Sequence, residues 1–491
     1  MHPPDFTEFL GRDLEKNQIR SRRFQTLEIS SVSVNNEAKS LNTYALDVLG
    51  CKVNQYDARQ IARLLEGFGL REAGKGLADL VVVHTCGVTA TAVQKSRQAL
   101  RRLIRKNPGA AVFLTGCAAS EEIVDGLEVD TRVAAGAGWI QMLADELQTF
   151  SLPNPDFHLP ENADELAVDD FGGQTRAFLK IQDGCDAGCA YCIVPALRKE
   201  PRDKSVEAAV AEAEALVKRG YKEIVIAGVH VGLYGRETDR SLYDILARIA
   251  EVPNLGRIRM SSLHPAELTD ELLAVWSAHS NIMPHLHLSL QSGSDGVLQR
   301  MGRGYTADEY AAAVERARAA LRCRSPQANG YRDCSSRPAG DFLGPAITTD
   351  VIVGFPGETD AEFEETFEFC KQIGFAQMHI FNFSPRPGSR AAGMPNPVDP
   401  QTAQARHQRL AELADEMKLD FNHAFVGQTV QVLVERCKDG LCSGGSEQYI
   451  PTKFQGGPAL SSVEGENLCG TVVPVQITEA SKEGLTGMPV S

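Results

Sequence analysis

Short apolar runs alternate with longer helix-forming stretches from Leu46 to Leu127. Leu46-Asp-Val-Leu-Gly-Cys51, Leu80-Val-Val-Val-His-Thr-Cys86 and Val112-Phe-Leu-Thr-Gly-Cys117 are each strand-length and each end in a cysteine. Helical sequence follows every one of them, over Asp57 to Phe68, Thr91 to Lys106 and Glu121 to Leu127. This alternation predicts a parallel sheet with helices on its faces. The three cysteines then share the carboxyl edge of that sheet, where open α/β sheets bind their ligands.

The alternation resumes at Thr175. Strand-like runs lie at Ala177–Gln182, Glu223–Ala227, Arg257–Leu263, His285–Gln291, Thr348–Gly354 and Gln377–Phe383, separated by helical sequence such as Val206–Arg219 and Thr306–Arg322. Six such units predict a partial TIM-type barrel with its active site at the C-terminal strand ends. From Val426 the period shortens to two (Val430, Val432, Val434) with Gly-rich turns and a last run Gly470–Ile477, which predicts a small β-barrel. The expected organisation is an N-terminal extension (1–41), an α/β domain (42–155), a linker (156–172), the central barrel (173–400), a connecting helix (401–425) and the C-terminal β-barrel (426–491).

With 491 residues, 43% of them hydrophobic and 23% charged, the chain is that of an ordinary globular protein of several domains. No apolar run approaches the ~18 residues of a membrane span. The first 41 residues mix acidic and basic side chains without an apolar core, so neither a signal nor a transit peptide is predicted, and a cytoplasmic location is expected. Twelve irregularly spaced cysteines read as metal ligands in a reducing compartment and not as a disulfide framework. The net charge of −14 excludes a general nucleic-acid coat but leaves room for a local basic face.

The chemistry is concentrated in Cys185-Asp-Ala-Gly-Cys189-Ala-Tyr-Cys192. Three thiolates on one short loop can hold three corners of a 4Fe–4S cube and leave the fourth iron open to a ligand. A zinc knuckle would need a fourth Cys or His nearby, and the next cysteine, Cys323, is far along the chain. That cysteine and Cys334 lie in a polar segment, Cys323 to Gly344, entering a strand from the opposite face, and are expected to be bystanders. Cys51, Cys86 and Cys117 repeat the open-site logic at the sheet edge, although buried structural thiols would look the same.

These residues resemble the radical S-adenosylmethionine (SAM) methylthiotransferases, over Tyr44 to Leu485. The matching motifs are Leu49-Gly-Cys-Lys-Val-Asn-Gln-Tyr56, Thr85-Cys-Gly-Val-Thr89, Thr115-Gly-Cys117, Leu179-Lys-Ile-Gln-Asp-Gly-Cys185, Leu290-Gln-Ser-Gly-Ser-Asp295 and Thr349-Asp-Val-Ile-Val-Gly-Phe-Pro-Gly-Glu358. Lys52-Val53-Asn54-Gln55 is most similar to the MtaB type, the branch acting on threonylcarbamoyladenosine in tRNA. The resemblance implies two 4Fe–4S clusters: Cys185, Cys189 and Cys192 hold the one that reductively cleaves SAM, and Cys51, Cys86 and Cys117 hold an auxiliary one that handles sulfur. It places SAM near Gly228, Gln291, Gly354 and Glu358, and makes the C-terminal barrel a TRAM domain. A carbon radical suits the unactivated C2–H bond of adenine, which no side chain could open. Implied partners are tRNA and an electron donor such as a flavodoxin or ferredoxin; the sulfur source is unspecified. The chain departs from the family pattern at His84, at Lys199 and in the Cys323–Gly344 insertion, none of which removes a cysteine ligand.

RNA contact in so acidic a chain must be local. Gly87 to Ala110 has no acidic residue and carries Lys95, Arg97, Arg101, Arg102, Arg105 and Lys106. On a helix, Arg97, Arg101 and Arg105 share one face, while Val93, Leu100 and Leu103 point inward. A phosphate-binding patch and a merely solvated face fit this pattern equally. Arg198, Lys199, Arg202 and Lys204 form a second candidate, whereas Val426–Ser491 holds four basic residues against seven acidic ones. Alternative substrates are isopentenyladenosine in tRNA or a ribosomal protein, and a non-catalytic iron–sulfur RNA-binding protein is the reading outside catalysis.

Overall fold

A computed structural model describes residues 39–490 apart from 88, 120, 125–128, 130, 135, 137, 199, 239, 322–343 and 457–467. The expectations for the first 38 residues, Lys199, Cys323 and Cys334 lie outside the described residues.

Five parallel strands come first: β1 (Thr43–Val48), β2 (Arg71–Glu72), β3 (Leu80–Thr85), β4 (Ala111–Gly116) and β5 (Thr131–Ala134), in the order β2-β1-β3-β4-β5. Buried throughout, β3 reads as a continuous apolar run because helices cover both faces of the sheet. Leu80, Val82 and Phe113 pack on one face with Trp139 and Leu143, while Val81, Val83, Val112 and Leu114 meet Leu100 on the other. Sequence periodicity misses β2 and β5: one is two exposed charged residues, and the other is only four residues long. The first helix, Lys52–Gly67, starts directly after Cys51 and five residues before Asp57, the predicted start. Its N-terminal turn is polar in part because Asn54 donates to the strand-end carbonyls of Leu49 and Thr85.

The central barrel contains β6 (Arg176–Asp183), β7 (Arg202–Asp203), β8 (Glu223–Gly228), β9 (Arg257–Met260), β10 (His285–His287), β11 (Ala346–Val353) and β12 (Gln377–Asn382). β6, β8 and β9 are parallel, as are β10, β11 and β12, and parallel bridges Ile258–Ile282 and Leu263–Leu288 join the two groups. The six predicted strands are therefore present in sequence order. Short antiparallel β7 edges β6 and is an addition to them.

Helix Pro400–His423 leads to β13 (Thr429–Lys438), β14 (Leu441–Gly445), β15 (Pro451–Gln455), β16 (Val472–Ser481) and β17 (Gly484–Pro489), which form a closed barrel. Alternate residues Val430, Val432 and Val434 fill its core. The antiparallel register of β13 and β14 sets Cys437 opposite Cys442, and the two form a disulfide. This single short-range pair stands outside the reading of the cysteines as metal ligands, and it follows from hairpin register. The barrel docks where the central strands begin. Arg257 donates to the carbonyls of Gly445 (3.1 Å) and Gln431 (2.6 Å), and Arg259 to those of Glu447 (2.9 Å) and Ser446 (2.6 Å).

A buried ionic cluster joins the α/β domain to the central barrel. Lys180 of β6 lies 2.5 Å from Asp57 of the first helix and 3.0 Å from Asp183. Arg198 donates to Asp57 at 2.7 Å and to both oxygens of Asp183 at 2.8 and 2.9 Å. All four side chains are nearly or fully withdrawn from water. Breaking a buried pair leaves an uncompensated charge, so Lys180→Met is expected to destabilise the fold by about 3–5 kcal/mol. An unchanged melting temperature would contradict this. Burial raises the Asp183 pKa, but Lys180 and Arg198 outweigh it and bring it down to about 2. A depressed carboxyl stabilises above its unfolded value, so this contribution persists above pH ~4 and is lost as pH falls towards 2.

Candidate active site between two cysteine sets

The carboxyl edge of the N-terminal sheet brings its three cysteines together. Register places Thr85 beside Gly116, and the Cys117 N–H donates to the Thr85 carbonyl at 3.1 Å. Asn54 ties the β1 and β3 ends together by donating to the carbonyls of Leu49 (2.7 Å) and Thr85 (2.9 Å). Gly50, at φ +117°, passes so close that a Cβ there would lie 3.0 Å from Cys86 Sγ. Cys51 is exposed and stands at the N-cap position of the helix Lys52–Gly67, without a side-chain capping bond.

The second set lies on the loop after β6. Gly184 needs its left-handed turn (φ +79°) because a Cβ would meet the Glu200 carbonyl oxygen at 2.0 Å. Backbone bonds pin the loop: Cys185 N to Arg198 O (2.8 Å), Ala190 N to Met301 O (2.7 Å) and Ala391 N to Ala190 O (2.8 Å). Donors approach the sulfurs, with Ala187 N 3.4 Å from Cys185 Sγ and Arg303 Nη1 3.5 Å from Cys189 Sγ. His230 Nδ1 is 3.6 Å from Cys185 Sγ, and its Nε2 meets Glu267 at 2.5 Å. Burial opposes charge on His230, but those two partners outweigh it and raise its pKa to about 9. Burial and the neighbouring cations Arg303 and His230 push His264 down to about 2, so it accepts a hydrogen bond from Arg303 (3.0 Å).

His230, His264 and Glu267 are the one group of three among the described residues whose potential ligand atoms all lie within 4.8 Å. His230 stands between Cys185 and Glu267, so this trio reads as a hydrogen-bonded frame for Cys185.

The two sets face each other through arginines. Arg198 Nε donates to Cys117 Sγ at 3.3 Å, while its carbonyl accepts from Cys185 N. Arg386 donates to Gly87 O at 2.7 Å, next to Cys86, and Arg390 to Gly188 O, next to Cys189.

Of the proposed SAM contacts, Gly228 ends β8 and Gly354 follows β11, with Gln291 bridged to Val351 beside it. Glu358 is buried, accepts from Gly354 N (2.7 Å) and pairs with Arg406 (2.7 Å), so its carboxylate shapes the Gly354 turn. Lys95, Arg97, Arg101, Arg102, Arg105 and Lys106 are exposed on helix Ala90–Lys106, and Arg102 pairs with Asp47. That helix abuts Cys86, whose N–H lies 3.4 Å from Ser96 Oγ. The second basic candidate does not survive as a patch: Arg198 is buried in the ionic cluster, and Lys204 is buried against Glu212 and Tyr56. Sequence reading passed over Asp57, Lys180, Asp183, His230, Glu267 and Arg303. The available signal was charge inside otherwise buried strands and in turns at strand ends.

Fold and site together define a radical SAM enzyme carrying an added N-terminal domain. The radical SAM superfamily model matches residues 179–325, and that of the uncharacterized protein family UPF0004 matches 43–135. The chain is 33% identical over 452 residues (92% of this chain, 99% of the relative) to the threonylcarbamoyladenosine tRNA methylthiotransferase MtaB of Chlamydia pneumoniae. It is 34% identical to the MtaB of Bacillus subtilis over 89% of this chain and 94% of that one. The tRNA-2-methylthio-N(6)-dimethylallyladenosine synthase of Novosphingobium aromaticivorans is 35% identical over 91% of this chain and 97% of its own. Among solved structures, the radical SAM methyltransferase TsrM of Kitasatospora setae shares the fold at TM-score 0.51, with 13% identity, covering 82% of this chain and 77% of that one. The chain belongs to the radical SAM tRNA methylthiotransferases, whose cofactors are SAM and 4Fe–4S clusters.

Burial pushes the Cys192 thiol up to about 11 and raises that of Cys117, with Arg198 opposing the rise. Iron binding at these sulfurs would therefore displace protons. Reconstitution of the metal-free protein in weak buffer is expected to release protons, with loading weakening as pH falls from about 9 to 6. Proton-neutral loading, followed with an indicator dye, would contradict these protonation states.

Proposed function

We propose that the protein inserts a methylthio group at C2 of N6-threonylcarbamoyladenosine next to the tRNA anticodon. Cys185, Cys189 and Cys192 hold the cluster that binds SAM, and Cys51, Cys86 and Cys117 hold an auxiliary cluster that handles sulfur. The observation carrying this reading is the single seam between the two cysteine sets, bridged by Arg198. When bound, SAM on its cluster supplies a carbon radical able to take hydrogen from an unactivated C–H bond. The chain's part is to position: Gly228, Gln291 and Gly354 frame the SAM side, and the basic helix Ala90–Lys106 runs from Cys86 as a phosphate track. Electrons come from a small carrier such as a flavodoxin or ferredoxin.

Lys52 supports the choice of nucleoside. It adjoins Cys51 and is half-buried, with no carboxylate at ion-pair distance among the described residues. Burial lowers its pKa, as do the nearby Arg176 and Arg259. Glu223, the acid in that neighbourhood, is committed to Arg259 at 2.9 Å. An ammonium so placed suits the carboxylate of a threonylcarbamoyl group. The competing reading, dimethylallyladenosine, is favoured by relatives of equal identity, but its apolar substituent would leave Lys52 unmatched.

Nucleoside mass spectrometry of tRNA from cells with and without the gene tests the reaction. Loss of methylthio-threonylcarbamoyladenosine with accumulation of the unthiolated nucleoside is expected; an unchanged level would overturn the substrate assignment. Replacing Cys51, Cys86 or Cys117 with Ala should preserve SAM cleavage and abolish sulfur insertion. Equal loss of both would sink the division of labour. For Lys52→Met, loss of a charged hydrogen bond of ~1.5–3 kcal/mol predicts about 10–100-fold lower kcat/KM towards threonylcarbamoyladenosine tRNA. Unaltered kinetics would remove Lys52 from recognition.

A further inference from the structure

We infer that Arg198 is a positioning residue that sets the reduction potential of the auxiliary cluster through a directed N–H···S bond to Cys117. The inference rests on the reading that Cys51, Cys86 and Cys117 hold such a cluster. It starts from how fully the guanidinium is committed. Nη1 meets both oxygens of Asp183 and Nη2 meets Asp57, leaving Nε–H aimed at Cys117 Sγ, 3.3 Å away. Two carboxylates from different domains hold the plane of the fork, so its third direction is not free to wander.

Charge balance sharpens the point. Asp57 and Asp183 offset Lys180 and Arg198 within one buried cluster. The net field of the group is therefore small, and what reaches the sulfur is mainly one oriented hydrogen bond. Hydrogen bonds to cluster sulfurs favour the more reduced, more negative state and raise the potential. A purely structural arginine would need only its two carboxylate partners. Lysine cannot reproduce this arrangement, because a point ammonium cannot satisfy two carboxylates and a sulfur in fixed directions.

The same residue touches the other cysteine set through its backbone, since Arg198 O accepts from Cys185 N at 2.8 Å. The residue that orders the SAM-side loop thereby presents a donor to the sulfur-side ligand. Arg303 offers the parallel contact on that loop, with Nη1 3.5 Å from Cys189 Sγ.

The test is a reductive titration of the full-length reconstituted protein followed by EPR, with SAM added to mark the cluster whose signal it perturbs. In Arg198→Lys, the SAM-insensitive cluster should shift to a more negative potential at unchanged iron content, while the SAM-sensitive one stays put. Arg303→Lys should do the reverse. Full iron content with an unmoved SAM-insensitive potential in Arg198→Lys overturns the inference. Should that variant not retain iron, wild-type protein labelled with 15Nε arginine decides. A nitrogen hyperfine coupling on the reduced SAM-insensitive signal is expected, and its absence overturns the inference. Iron and sulfide analysis showing one cluster per wild-type chain would instead remove the two-cluster reading beneath it.

Discussion

Four charges out of water, Asp57, Lys180, Asp183 and Arg198, are the constraint on which the arrangement of this protein depends. Each is expensive to bury and tolerable only beside its partners. Asp57 belongs to the first helix, Lys180 and Asp183 to the first barrel strand, and Arg198 to the segment leaving the Cys185–Cys192 loop. Any slide of the N-terminal sheet relative to the barrel would unpair at least one of them. An apolar seam of equal area would tolerate such a slide, because hydrophobic attraction has no direction. The ionic seam thus trades stability for register, and register is what two facing cysteine sets require.

How far this was legible in the sequence depended on whether the signal was local. The strand-then-cysteine repeat at Cys51, Cys86 and Cys117 and the spacing of Cys185, Cys189 and Cys192 are local, and they led directly to two edges of two sheets. Lys180 and Asp183 stood inside a quoted motif, yet nothing near them names Asp57, which lies over a hundred residues earlier. Arg198 and Lys204 were misread because a basic run in a polar segment is normally solvated; their acidic partners, Asp57, Asp183 and Glu212, are supplied by tertiary packing. The early start of the first helix was hidden for the same reason. Its opening residues are polar in part because Asn54 donates to the strand-end carbonyls of Leu49 and Thr85, and periodicity cannot tell such a contact from solvent. Cys437 and Cys442 were missed because their pairing depends on hairpin register.

The docking of the C-terminal barrel bears on how RNA could be held. Arg176, Arg257 and Arg259 engage it from the first residues of β6 and β9, at the end of β6 opposite the Cys185–Cys192 loop. Tyr449 is clasped there between Arg176 (5.0 Å) and Arg259 (4.7 Å). The arginines that would make this end attractive to phosphate are thus spent on the docking itself. With an acidic surplus of its own, the C-terminal barrel is poorly suited to draw in RNA by charge. The helix Ala90–Lys106 has the opposite character: it is basic, exposed and begins beside Cys86.

Overall identity does not separate the two tRNA substrates, since relatives acting on either nucleoside stand at 32–35%. Discrimination has to come from the few groups that meet the N6 substituent, and the chemistry of the substituents is unlike: one ends in a carboxylate, the other in a branched hydrocarbon. A site for the hydrocarbon gains by excluding charge, because a cation desolvated without a partner is costly. On the proposed assignment, the first turn after Cys51 would carry such a cation, Lys52, while Asn54 in the same turn is consumed in tying two strand ends together.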